Sequence, residues 1–175
     1  MRMLKALMLL LCCSYTILYA QPTTPQSPCQ TDTNYQQFDF WLGEWRVENA
    51  QGQYQGTNII EKSADGCLIK ESWTSAAGNH GFSLNYYNPR TDKWTQNWVS
   101  AGSVIDYSGG LVNEQMILEG SIYYQARDLK AKFRGTWTLL DDGRVRQFFE
   151  QYNAEEQVWS VWFEGFYSKM ETTKK

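Results

Sequence analysis

Beyond residue 28 the chain has a single proline, Pro89, and no long apolar pattern of helical period. In its place are short stretches of alternating apolar and polar residues, each closed by a turn signal. Alternation with period two marks a strand with one buried face. Many such strands at short spacing point to a β-sandwich or barrel. The pattern predicts strands over 41–48, 54–62, 67–75, 81–87, 93–100, 104–107, 114–122, 129–140, 144–152 and 158–168. A helical turn over 34–40 leads into the first. Between strands lie Ala50-Gln51-Gly52, Ser63-Ala64-Asp65-Gly66, Asn88-Pro89-Arg90-Thr91-Asp92 and Asp141-Asp142-Gly143, all rich in turn formers. Ser108-Gly109-Gly110 is expected to break the sixth strand. Connections this short favour sequential hairpins. The expected fold is therefore all-β: a closed, up-and-down, antiparallel β-barrel of about ten strands, wider than an eight-stranded one.

Composition narrows the class further. Aromatic residues make up 15% of the 175, which excludes a disordered chain. A mean hydropathy of −0.54 excludes a helical membrane bundle. With 16 basic and 19 acidic residues the net charge is −3, which argues against a general nucleic-acid binder.

Residues 1–20 have the layout of a secretory signal. Arg2 and Lys5 precede an apolar run, and Ala20 is a small residue at a cleavage point. The run is short for a membrane span, and no stable span is expected after cleavage. Residues 21–28 hold three of the four prolines and read as an exposed linker. The barrel domain is expected over 29–170, with a tail at 171–175. Removal of the signal leaves Cys29 and Cys67, and export predicts that they form a disulfide. No residue set points to a metal or cofactor.

Strand faces can be assigned from the alternation. Ile69, Glu71 and Trp73 share the more apolar side of the third strand. Trp94, Gln96 and Trp98 share a side of the fifth, and Val145, Gln147 and Phe149 a side of the ninth. The last strand is apolar on both sides and assigns no inward face. Single polar groups thus sit among inward aromatics: Glu71, Asn85, Gln96 and Gln147. Either they pair with one another, or they line a cavity. An unpaired buried polar group costs about 1–3 kcal/mol, and pockets are mostly apolar with a few placed polar groups.

The opening Phe38-Asp39-Phe40-Trp41-Leu42-Gly43-Glu44-Trp45 carries a Gly-x-Trp signature that resembles the calycin superfamily of lipocalins and fatty-acid-binding proteins. The fuller set resembles one group within it, secreted bacterial lipocalin-like domains of unknown function. That set comprises Cys67-x-Ile69-x-Glu71-x-Trp73, Gly81-x-Ser83-x-Asn85-x-Tyr87, Trp94-x-Gln96-x-Trp98-Val99, Met116-x-Leu118-x-Gly120 and Val145-Arg146-Gln147-x-x-Glu150. One departure is Asn153-Ala154-Glu155-Glu156, where that group carries an Asp-Gly-Gly turn. The resemblance implies a β-barrel and no particular activity.

The leading functional expectation is binding of a small hydrophobic or amphipathic ligand. Trp73, Tyr87, Trp94 and Trp98 would be walls, and Glu71, Asn85, Gln96 and Gln147 would orient the ligand. A second reading is an isomerase, cyclase or hydrolase using Glu71 as general acid or base. Haem binding, as in nitrobindin-like relatives, would need an inward histidine, and the lone His80 falls in a predicted turn at the barrel mouth. A fourth reading is an inert scaffold with Trp162 on a partner surface.

Overall fold

The computed structural model describes residues 26–171. The expected signal at 1–20, most of the linker and all but the first residue of the tail lie outside them. Ten strands follow one another as antiparallel neighbours, and the first closes on the last. They are β1 (Gly43–Glu48), β2 (Tyr54–Lys62), β3 (Ile69–Ser75), β4 (His80–Asn88), β5 (Lys93–Ser100), β6 (Ser103–Val112), β7 (Gln115–Tyr124), β8 (Leu129–Leu139), β9 (Val145–Asn153) and β10 (Val158–Lys169). The all-β, up-and-down barrel is thus the fold, and closure leaves no free sheet edge.

Alternation holds along most strands because the register keeps one face inside. In β4 the residues from Gly81 to Tyr87 alternate buried and exposed without a slip. Two tight hairpins use left-handed residue pairs, Ala101-Gly102 and Asn113-Glu114, which match the twist of the flanking strands. The Asn153 turn forms without glycine. Its side-chain oxygen accepts from the backbone of Glu155 at 3.0 Å and of Glu156 at 3.2 Å.

Two local expectations are corrected, and β10 gains the inward face that its sequence did not assign. Gly109-Gly110 does not break β6, which runs through both to Val112. At Gly109 an added Cβ would lie 2.0 Å from the Ile117 carbonyl oxygen. Glycine there lets β7 approach closely rather than turning the chain. Trp41 lies outside β1, in a short 3-10 turn (Asp39–Trp41). In β10 the register slips between Val161 and Phe163, leaving Trp162 as a bulge. The bulge turns Phe163, Gly165 and Tyr167 inward, while Trp159 stacks outside with Tyr152 and Arg134.

One barrel end is sealed by the segment before β1. A one-turn helix, α1 (Pro28–Thr31), is capped by Ser27. Cys29 in this helix is disulfide-bonded to Cys67, at the foot of β3. A 3-10 turn (Thr33–Gln36) follows. Phe38 and Trp41 then enter the barrel and are wholly buried. Phe38 stacks on Trp41 at 5.0 Å and meets Trp94 and Trp137 edge-on at 5.6 and 5.2 Å. Lys62 pins the segment from outside, bonding Asp39 at 2.5 Å and the Tyr35 carbonyl at 2.9 Å. This half of the interior is solid aromatic core. The opposite end carries the turns after β1, β3, β5, β7 and β9, and nothing in the described chain covers it.

Candidate functional site

Above the aromatic core a belt of polar side chains runs around the interior. β3 presents Glu71, and β4 presents Ser83 and Asn85 on the same inward face. Registry sets Glu71 opposite Ser83, Asn85 opposite Gln96, and Gln96 opposite Tyr107 of β6. The hydrogen bonds follow that order. Tyr107 donates to Gln96, whose amide donates to Asn85. Asn85 donates to Ser83 at 2.9 Å, and Ser83 donates to Glu71 Oε2 at 2.6 Å. From the other side Asn58 of β2 donates to Glu71 Oε1 at 2.7 Å. Asn58 also reaches Tyr167, which in turn donates to Gln147. Along the run Tyr107, Gln96, Asn85, Ser83 the donors point toward the Glu71 carboxyl, which is its terminal acceptor.

Glu71 is only 3% exposed. Burial raises its pKa above the ordinary 4.5, against the lowering effect of Ser83 and Asn58. No Lys or Arg among the described residues pairs with it. Arg134 is engaged outside the barrel by Glu150 at 2.8 Å and Glu119 at 3.5 Å. Burial, and then the Glu71 charge, hold the Tyr107 and Tyr167 phenols well above their ordinary range.

A cavity of about 240 Å³ opens over this belt toward the uncovered end. Glu71, Gln147 and Tyr167 face it from the belt, and Trp73, Trp98, Phe149, Phe163 and Trp162 form its walls. Ser75, Asn79, Ser100 and Ala101 line its mouth. Glycine makes room for one wall. A Cβ at Gly81 would lie 2.9 Å from the Trp98 ring. Trp162, 39% exposed, reaches the rim through its bulge, donates to the Tyr124 hydroxyl at 2.8 Å and meets Trp98 edge-on. A larger groove of about 770 Å³ adjoins it along β8–β10, past Lys132, Tyr152 and the shared Trp162, but its lining has none of the buried polar belt.

The eight expected ligand-binding residues therefore divide by height in the barrel. Glu71, Trp73, Trp98 and Gln147 border the cavity. Asn85 and Gln96 lie in the belt beneath, oriented toward Glu71 rather than toward the cavity. Tyr87 and Trp94 pack at the sealed end, Tyr87 against Tyr35 and Trp94 against Phe38. His80 is exposed at the start of β4 and meets the Thr74 hydroxyl at 3.2 Å, so it offers no inward axial ligand. Asn58 was legible, since it shares the inward face of β2 with Gly56 and Ile60. Trp162 was not, because no alternation rule anticipates a bulge.

Compared with protein-family models and with curated proteins, the sequence matches none. The class of molecule is therefore defined by its architecture alone. It is a closed ten-stranded barrel, sealed at one end and open at the other, with a cavity over a buried acid.

Proposed function

We propose that this chain is an exported, calycin-type barrel that takes one small, partly apolar molecule through its open mouth. The observation that carries this reading is the 240 Å³ cavity with aromatic walls over the buried Glu71. Apolar walls with a few fixed polar groups are the usual make-up of a small-molecule site. An apolar cavity of roughly 150 Å³ holds benzene, so this one suits a one- or two-ring compound. Export is supported by the signal-like residues 1–20 and by the Cys29–Cys67 disulfide, a bond that persists in oxidising compartments. No helix among the described residues is long and apolar enough to cross a membrane.

The raised pKa of Glu71 also favours general acid–base chemistry as a second reading. The cavity lining counts against it, because it contains no His, Cys or Lys to partner the carboxyl.

Fluorescence titration with naphthalene and indole tests the binding reading. Saturable quenching at one site is expected, and it should disappear when Ser100→Phe fills the mouth. Quenching that survives Ser100→Phe, or none with any small ring compound, would overturn the proposal.

A further inference from the structure

The cavity contains a chemical asymmetry that identifies its ligand more closely. Glu71 is buried and faces the cavity, yet its two donors, Asn58 and Ser83, are both neutral. A carboxylate offers about four acceptor positions, so two remain open. Buried charges are ordinarily matched by an opposite charge. No cationic side chain meets this one among the described residues. The titratable groups packed around it are the phenols of Tyr107 from β6 and Tyr167 from β10, while His80 of β4 is out at the exposed rim. An unpartnered buried carboxyl either keeps its proton or takes up a cationic donor, and the open acceptor positions facing the cavity suit such a donor.

A second feature agrees. Trp73 follows Glu71 on the same face of β3, and Trp98 of β5 stands opposite Ser83. With Trp162 these rings surround the space above the carboxyl, and aromatic faces attract cations and repel anions.

We propose that the cavity ligand is a small organic amine whose ammonium group docks on Glu71 between Trp73 and Trp98. This rests on the ligand-binding reading above and specifies its chemistry. An acidic ligand would set acceptor against acceptor at Glu71, and a purely hydrocarbon ligand would leave the carboxyl unmatched.

The test compares 2-phenylethylamine with propylbenzene, which has the same shape with CH₃ in place of NH₃⁺. Tryptophan fluorescence titration near neutral pH should give an amine affinity about tenfold higher or more. In Glu71→Gln that ratio should collapse to about one. The wild type alone provides a second readout, should the variant not fold. Its amine affinity should weaken as pH falls through the Glu71 pKa, while its propylbenzene affinity holds level. If propylbenzene binds as tightly as the amine, or if amine affinity ignores pH, the amine assignment is wrong and the binding site stands. If neither compound binds, the cavity reading itself fails along with it.

Discussion

Glu71 is the one buried acid among the described residues, and its cost to the fold is measurable. Its pKa is raised in the native barrel by burial, so the native state holds a proton that the unfolded chain releases. As pH climbs from the ordinary 4.5 toward the raised native value, the unfolded state therefore binds fewer protons than the native state, and stability falls. Each pH unit in that window costs about 1.4 kcal/mol. Glu71→Gln removes the titration. Thermal melts across this range should show the variant gaining on the wild type as pH rises, whereas a constant difference would mean that the carboxyl is not desolvated. At Gly81 the account is steric. An alanine Cβ would meet the Trp98 ring at 2.9 Å and push it into the cavity. Gly81→Ala should weaken binding of a one-ring probe several-fold, read by the same quenching titration, with a change in near-ultraviolet circular dichroism.

Among the elements, the sealing segment and β10 show how far sequence patterns reach. The disulfide between α1 and the foot of β3 closes a loop of 38 residues. Replacing both Cys29 and Cys67 by Ser should cost roughly 3–4 kcal/mol on the chain-entropy model, read by denaturant unfolding. Phe38→Ala would open a void beneath Trp41, Trp94 and Trp137, at a cost of about 3–5 kcal/mol. Equal stability in either variant would mean that the segment is not the barrel's floor. The inward faces of β3, β5 and β9 were legible because a one-residue slip would expose the whole apolar set. Gly109-Gly110 misled because glycine signals both a turn and a close approach, and sequence alone does not separate them. Trp162 was hidden because its position depends on a bulge, which breaks the alternation on which the reading relies.

For the whole molecule, the candidate site depends on the difference in height between core and cavity. Alternation identifies the residues that point inward, but not how far up the barrel each one lies. That is why Tyr87 and Trp94 shared a list with Trp73 and Trp98, although the former pack against the sealing segment. The eight tryptophans of the chain make the distinction observable, since each carries one indole N–H. The most direct test follows these eight signals by proton–nitrogen NMR while a one-ring amine is added. The predicted result is that Trp73, Trp98 and Trp162 move together and saturate, while Trp41, Trp45, Trp94 and Trp137 at the sealed end and Trp159 outside stay in place. Movement of the sealed-end or outer indoles instead, or no movement of any, would contradict a ligand cavity over Glu71.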